Sequence, residues 1–214
     1  NLFEDRKRIY LRWENRSQVG FNYILSYSQA DEFYQPSMGF EERPNFIAIG
    51  DQIGYGWFPQ NCEKMRYVRL DLQTKAFFTA GTNKLESFLI APSINLDWIK
   101  TNTLMISYNY FYDKVPTSFN LSDDISIPSA TYTNQNLEIV YETPRVNLIN
   151  TQISTTAGSF YDGRRISLGV TPTYIISKYI TLGGFYQYNR IGFDTGIYNA
   201  HVGRLKISSS FNVK

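Results

Sequence analysis

Apolar and polar residues alternate along almost the whole chain, and this alternation constrains the fold more than any other feature of the sequence. Within 103–113, apolar and aromatic side chains occupy the even positions, and mostly polar side chains occupy the odd positions. A period of two is the repeat of a β-strand, because successive side chains point to opposite faces of the sheet. Since no segment shows the 3.6-residue repeat of an amphipathic helix, the chain is predicted to be all-β.

The alternation predicts about eleven strands of roughly 10 to 14 residues each. Their predicted spans are 7–16, 18–30, 45–57, 65–79, 84–97, 102–114, 133–143, 147–158, 164–176, 179–190 and 201–214. Strands in soluble sheets usually have about 5 or 6 residues, whereas a tilted strand that crosses a bilayer needs about 9 to 11. The strand lengths therefore favour an antiparallel transmembrane β-barrel of the outer-membrane type, with 1–214 as a single barrel segment. A soluble β-sandwich also alternates, but its strands would be shorter and its polar face richer in lysine and glutamate.

The composition excludes several function classes. The 21 basic and 19 acidic residues give a net charge of +2, whereas a nucleic-acid binder needs a strongly basic face. The longest apolar run, at 88–91, is far shorter than the ~20 residues of a transmembrane helix. One cysteine and one histidine exclude a disulfide framework and a Cys- or His-rich metal site. No cofactor and no metal are predicted.

The predicted connections alternate in length. The short set is 16–17, 59–64, 98–101, 144–146 and 177–178. The other set is mostly long and comprises 30–43, 115–132, 159–164, 191–200 and the short 80–83. Outer-membrane barrels have short periplasmic turns and longer extracellular loops. The chain is therefore predicted to lie in a bacterial outer membrane, with its long loops outside the cell and its short turns in the periplasm.

Aromatic residues supply a second indication of a membrane. Trp13, Trp57 and Trp98 all fall at predicted strand ends beside the short connections. A cluster of tyrosines is predicted at the opposite ends: Tyr27, Tyr110, Tyr112, Tyr186 and Tyr188. Since tryptophan and tyrosine concentrate where a bilayer meets water, both sets are predicted to be membrane-interface residues.

Charged residues on the polar faces of the strands are predicted to line the lumen of the barrel. They are Arg8, Arg12, Glu14, Arg16, Arg69, Asp71, Lys75, Glu138, Glu142, Arg204 and Lys206. Such residues can line a polar passage and bias its ion selectivity. Because both signs are present, they can equally pair with one another and fill a closed lumen.

Three groups of motifs resemble a known family. The first runs from Phe33 to Phe40, continues with Arg43-Pro44 and ends with Gly54-Tyr55-Gly56-Trp57-Phe58-Pro59. The others are 158–165 and 186–193, the latter followed by Arg204-Leu205-Lys206. Together they resemble the C-terminal barrel region of a Bacteroidetes-type outer-membrane family without an assigned function. The resemblance implies a barrel and defines no catalytic residue. Members usually carry an N-terminal carbohydrate-binding-like domain, which is not expected within 1–214.

The strand number predicts an incomplete barrel. Single-chain bacterial barrels have even strand numbers, whereas the alternation here predicts an odd one. Such barrels usually finish on an aromatic residue, whereas this chain stops at Val213-Lys214. Members of the family also continue past the point that matches Lys214. The segment is therefore expected to form part of a larger barrel.

Few residues could carry chemistry. His201 is the only general base of the usual kind, and a hydrolase built on it would need a serine from another strand. Asp123-Asp124 could bind a hard cation through oxygens, but the loop lacks the spaced ligands of a calcium site. Cys62 lies in a short turn and is interpreted as a spectator thiol. The chain is therefore predicted not to be an enzyme, and no residue is assigned a catalytic role.

Three functions compete on the sequence alone. The first is a channel or transporter that passes small solutes through a polar lumen. The second is a non-conducting barrel subunit or scaffold of a larger surface complex, and the third, ranked last, is an outer-membrane hydrolase. The predicted partners are the lipid bilayer and lipopolysaccharide, with other outer-membrane proteins, surface lipoproteins and glycans as further candidates. Nucleic acid is not expected to bind.

Overall fold

The computed structural model describes residues 7–35, 43–122, 125–194 and 196–210. These residues form thirteen strands: β1 (Arg8–Asn15), β2 (Gly20–Ala30), β3 (Phe46–Trp57), β4 (Met65–Thr79), β5 (Leu85–Trp98), β6 (Thr103–Lys114), β7 (Phe119–Ser122), β8 (Ile125–Ile127), β9 (Thr131–Glu142), β10 (Ile149–Phe160), β11 (Gly163–Ile175), β12 (Ile180–Phe193) and β13 (Gly196–Ser209). The predicted all-β fold is confirmed. Among the residues described, no helix is long and apolar enough to cross a membrane.

Eleven of the strands form one antiparallel sheet, in the order β1-β2-β3-β4-β5-β6-β9-β10-β11-β12-β13. Each strand pairs with its neighbour in the chain, except that β6 pairs with β9. The intervening β7 and β8 form a separate two-stranded hairpin. The described residues form no closed barrel, because β1 pairs only with β2 and β13 only with β12, and the larger barrel that was predicted stays a prediction. The sheet described is therefore open at both edges.

The connections lie at two ends of the sheet. The end named the turn end carries the connections 16–19, 58–64, 99–102, 143–148 and 176–179. The end named the loop end carries 31–45, 80–84, 115–130, 161–162 and 194–195. Only 31–45 and 115–130 are long, so the two ends differ less than the sequence predicted.

Two connections that were predicted to be long loops are short. The connection predicted at 159–164 is a two-residue turn at 161–162, and Tyr161 reaches the left-handed conformation that this turn needs, with φ at 53°. The loop predicted at 191–200 is mostly strand, because β12 continues to Phe193 and β13 begins at Gly196. Polar residues in these segments suggested loops, but strand pairing continues through them.

The loop predicted at 115–132 was also partly wrong, because it contains the β7–β8 hairpin. Ile127 of this hairpin is fully buried and Ile125 is 6% exposed. The apolar alternation in β8 covers only three residues, which is too short to stand out as a strand in the sequence. Asp123-Asp124 and the end of the last predicted strand, 211–214, lie outside the described residues.

The register separates the side chains of the sheet into two faces. On one face, Ile53 lies between Tyr23 and Leu72 of the neighbouring strands. On the other, the adjacent Gly54 lies between Asn22 and Asp71. The same division holds from β1 to β13, and we call the two sides the apolar face and the polar face. Charged exceptions on the apolar face include Asp51, whose Oδ2 accepts a hydrogen bond of 2.8 Å from Thr74.

The two faces differ in their exposure. Many large side chains of the apolar face are open to their surroundings, including Leu11 at 63%, Ile49 at 51% and Leu205 at 84%. By contrast, all four buried polar residues described lie on the polar face, namely Asn22, Ser107, Asn136 and Ser167. In a flat single layer both faces would be equally open. The sheet is therefore curved, with the polar face on its concave side.

The pairing of β6 with β9 can be tested by cross-linking. In a Cys62→Ser background, we expect Tyr112→Cys with Thr133→Cys to form a disulfide on mild oxidation, because these residues face each other across the two strands. Opposed Cα atoms in an antiparallel pair lie about 4.5 to 5.5 Å apart, within the range of a disulfide. The measurement is mass spectrometry of the oxidised protein after proteolysis.

The matched control shifts the register by two residues. Tyr112→Cys with Gln135→Cys places the cysteines about 7 to 8 Å apart and should cross-link poorly. Equal cross-linking of both pairs, or of the control alone, would contradict this register.

Candidate functional site on the polar face

The structure brings the predicted lumen-lining charges onto one surface. Those that lie within strands all project from the polar face: Arg8, Arg12, Glu14, Arg69, Asp71, Lys75, Glu138, Glu142, Arg204 and Lys206. Arg16 lies just beyond the end of β1. The charges do not form one cluster, because they are spread over four strands, β1, β4, β9 and β13, from one edge of the sheet to the other.

A hydrogen-bonded network occupies the polar face of β2 to β5, near the turn end. At its centre, the Asp71 carboxylate lies 2.6 Å from Nη2 of Arg69. Asp71 also accepts hydrogen bonds from Gln52 at 3.3 Å and from Asn95 at 3.1 Å, and Arg69 donates to Asn22 at 3.0 Å. Four strands are tied together by this ion pair. Its opposite charges neutralise each other, as the sequence suggested for a filled lumen.

Glycines on β3 make room for the network. A Cβ atom at Gly54 would lie 2.5 Å from Oδ1 of Asp71 and 2.7 Å from Oδ1 of Asn22. At Gly56 a Cβ atom would collide with the Tyr67 hydroxyl, which donates a hydrogen bond of 2.6 Å to the Gln18 carbonyl. The alternating glycines of β3 thus let the large polar side chains of β4 lie flat against the sheet.

A second charged group lies along β1. Glu14 is paired with both of its neighbours on the same face, with Arg12 Nε and, at 2.8 Å, with Arg16 Nε. The side chain of Arg16 is 71% exposed, so water screens this group far more than the Asp71 network. Glu142 at the end of β9 forms a similarly open pair with Arg145, at 2.9 Å. These pairs contribute little to stability.

A cavity of about 400 Å³ opens on the polar face near the loop end. We call it the cation–aromatic cavity. The lining comprises Arg43, Lys75, Phe77, Ser87, Phe88, Leu89, Phe111, Tyr112, Asp113, Asn134, Asn136, Ser159, Phe160, Tyr161 and Arg165. Three of these side chains are cations and one is an acid, so the cavity carries an excess of positive charge.

The cations of the cavity lie against aromatic rings. The guanidinium of Arg43 and the ammonium of Lys75 both contact the Phe77 ring, at 4.5 and 4.6 Å from its centroid. Arg165 lies 5.2 Å from the centroid of Phe160. Ring faces attract cations through their quadrupole and leave the N–H groups able to donate elsewhere. Two edges of the cavity therefore combine positive charge with apolar surface.

Amide and hydroxyl groups complete the lining. Asn136 accepts a hydrogen bond of 3.0 Å from Asn109, whereas the buried Oδ1 of Asn134 has no hydrogen-bond partner in the described structure. Burial raises the pKa of the Tyr161 phenol, and the nearby carboxylate of Asp113 raises it further. Tyr161 therefore stays protonated at neutral pH and can donate a hydrogen bond.

Most residues of this cavity were not singled out from the sequence. Lys75 was predicted to line the lumen, but Arg43 was assigned to the edge of a loop and Arg165 was not named as a site. A signal was present in Phe77 and Phe111, which are aromatic residues at positions of the polar face. Departures from an otherwise regular alternation mark positions where packing or binding overrides the pattern.

The three predicted interface tryptophans lie at the turn end. Trp57 and Trp98 are the last residues of β3 and β5, and Trp13 lies two residues before the end of β1, all at the turn end. Trp13 is 68% exposed and meets Tyr23 edge to face, with 5.5 Å between ring centroids.

The tyrosines divide into two groups. Tyr27, Tyr110 and Tyr112 lie on the apolar face within three or four residues of the loop end of their strands. Tyr186 and Tyr188 are also on the apolar face, but they lie in the interior of β12, because this strand continues to Phe193.

His201 lies on the apolar face of β13, opposite Tyr188. Its Nδ1 and the hydroxyl of Tyr186 share a hydrogen bond of 2.8 Å. Ser208, on the same strand, points to the polar face. The arrangement around His201 is thus a histidine–tyrosine contact, and no serine partner occurs among the described hydrogen bonds. Cys62 is exposed in the connection between β3 and β4.

Comparisons with protein-family models, curated proteins and solved structures give no significant match. The family resemblance described above stays a prediction, and function is argued from the geometry of the two faces.

The Asp71 network should be the most sensitive polar contact of the sheet. We expect Asp71→Asn to lower the free energy of unfolding by about 1 to 3 kcal/mol, because Arg69 would lose its carboxylate partner at a site where its side chain is only 29% exposed. The measurement is equilibrium unfolding in urea. Glu14→Gln is the control, since its pairs are open to solvent, and it should change the midpoint little. A larger loss of unfolding free energy in Glu14→Gln than in Asp71→Asn would contradict the expectation that the Asp71 network is the more sensitive contact.

Proposed function

We propose that this chain is a section of an outer-membrane β-barrel that passes small solutes along its polar face. In this proposal the apolar face contacts lipid and the polar face lines the lumen. The observation that carries the proposal is the exposure pattern, because large apolar side chains project outward while polar ones are buried on the concave side. This inverts the distribution of a protein that folds in water.

The layer structure supports the proposal over a soluble sandwich. A sandwich covers the apolar face of each sheet with a second sheet about 10 Å away. In the described ranges the only second sheet is the short β7–β8 hairpin, which cannot cover eleven strands. Exposed apolar area on this scale marks an interaction surface, and a lipid bilayer is a partner that fits a continuous band around a curved sheet.

Strand length is also consistent with a membrane. Apart from β1, the strands of the large sheet have 11 to 15 residues, and about 9 to 11 are needed to cross the hydrocarbon core with a tilt. The proposed barrel closes through further strands that pair with β1 and β13, because an edge in lipid would leave backbone groups without hydrogen bonds. In this arrangement the loop end faces the cell exterior and lipopolysaccharide, and the turn end faces the periplasm.

A non-conducting scaffold is the second candidate. It is favoured by the 115–130 connection, which folds into a hairpin with a buried Ile127 rather than an open loop. A packed hairpin at the loop end provides a shaped surface for another outer-membrane protein, a surface lipoprotein or a glycan. The neutralised Asp71 network would then act as part of a filled lumen.

Adjacent substitutions on opposite faces can test the membrane assignment. Leu72 is 39% exposed at the middle of β4 and faces outward, whereas the neighbouring Gln73 is exposed on the polar face. In lipid vesicles, we expect Leu72→Lys to lower the free energy of unfolding by about 2 to 4 kcal/mol, the cost of a charge at the bilayer midplane. Gln73→Lys should change it by less than about 0.5 kcal/mol. Urea unfolding followed by tryptophan fluorescence measures both, and equal small effects would refute contact with lipid.

Conductance tests the passage of solutes. Full-length protein purified in detergent and inserted into planar bilayers should give discrete, stable current steps. Arg12→Gln should shift the ion preference toward cations, because this guanidinium projects from the polar face. Arg190→Gln is the control, since Arg190 lies on the apolar face and should leave the preference unchanged.

Two outcomes would count against this view. A shift in the control but not in Arg12→Gln would reverse the assignment of the faces. Silence from a folded, heat-modifiable protein would overturn conduction and favour the scaffold.

A further inference from the structure

The cation–aromatic cavity differs from the Asp71 network in its charge balance. Around Asp71, the positive and negative charges neutralise each other. In the cavity, Lys75 and Arg165 have no acidic partner within 4.0 Å among the described ion pairs, and Asp113 is the only carboxylate of the lining. Arg43 is partly neutralised, because Glu86 lies 3.7 Å away. The cavity thus holds two cations without an acidic partner among the described ion pairs and a third that is only partly neutralised.

Apolar surface lies directly beside these cations. Lys75 and Arg43 both contact the ring of Phe77, and Phe111 and Phe160 line the same space. A phosphate or carboxylate alone would use the cations and leave the rings in contact with water. A neutral aromatic molecule would use the rings and leave the cations unpaired. The lining therefore matches a ligand that has both an anionic group and a planar apolar body.

We propose that the cation–aromatic cavity is a binding site for small organic anions that carry an aromatic or similarly planar group. Lys75 and Arg165, with Arg43, hold the anionic group by charge-assisted hydrogen bonds. Phe77, Phe111 and Phe160 contact the ring. The free Oδ1 of Asn134 and the phenol of Tyr161 offer an acceptor and a donor for polar substituents.

The size of the cavity fits this class. Its volume of about 400 Å³ lies in the range of small-molecule sites, which hold roughly 300 to 1,000 Å³. The inference deepens the proposed function by naming the class of solute that would meet the lumen wall. It rests on that function only for the statement that a bound anion passes through, since binding to the cavity requires no current.

Calorimetry with three probes tests the binding site. The probes are phenyl phosphate, inorganic phosphate and benzyl alcohol, titrated into full-length folded protein in detergent. Phenyl phosphate should bind at least about tenfold more tightly than either of the others, because only it uses both the cations and the rings. Equal affinity for inorganic phosphate would overturn the role of the rings. Equal affinity for benzyl alcohol would overturn the role of the cations, and no heat from any probe would overturn the site.

Variants locate the binding. Lys75→Gln and Arg165→Gln should each weaken phenyl phosphate binding about tenfold, since each removes one charge-assisted hydrogen bond. Lys206→Gln is the matched control, because this lysine also projects from the polar face, on β13, outside the cavity lining. Loss of affinity in the control and not in the two cavity variants would overturn the assignment. Heat-modifiable gel mobility checks that each variant is folded.

A current measurement separates this inference from the proposed function. Phenyl phosphate added to a conducting bilayer should reduce the current at concentrations near its dissociation constant, and Lys75→Gln should raise that concentration about tenfold. A protein that binds phenyl phosphate but never conducts would refute the channel and leave the site standing. A protein that conducts but does not bind phenyl phosphate would refute the site and leave the channel standing.

Discussion

The antiparallel register between neighbouring strands is the interaction on which the rest of the structure depends. Because side chains alternate along a strand, a shift of one residue in any pair would move a whole strand's charges to the opposite face. The observed register instead keeps most apolar side chains on one face and most polar side chains on the other, from β1 to β13. It lays Gly54 between Asn22 and Asp71, and Ile53 between Tyr23 and Leu72. Curvature then crowds one face and opens the other, so a single layer acquires an interior without a second sheet.

Much of this fold can be predicted from the sequence, because the alternation within each strand shows which side chains share a face. The predicted span 65–79 coincides with β4, and 45–57 differs from β3 by one residue. The assignment of Arg69 and Lys75 to the polar face follows from the two-residue repeat of the strand. Pairing between strands is less local, but short connections leave most strands no partner except their neighbours in the chain. The pairing of β6 with β9 could be inferred only because the segment between them was taken as a loop.

The errors have a common physical origin. Loop residues were identified by polarity, yet polar residues also occupy one face of every strand. The prediction of a loop at 191–200 therefore missed the end of β12 and the start of β13. As a result, Tyr186 was predicted near a strand end but lies in the interior of β12. The cavity could not be predicted either, because Arg43, Lys75 and Arg165 come from segments far apart in the chain. Only the curvature of the sheet brings their side chains around one space, and a period of two carries no information about curvature.

The loop end of the sheet is uneven. Its long connections, 31–45 and 115–130, lie on the side of β2 to β9, whereas on the side of β10 to β13 the connections 161–162 and 194–195 have two residues each. Tyr161 belongs to the two-residue connection between β10 and β11 and also lines the cation–aromatic cavity. One of the short connections of the loop end therefore lies at the cavity. If the proposed site binds a molecule that arrives from the loop end, that molecule would meet the shortest connections of this end beside Tyr161.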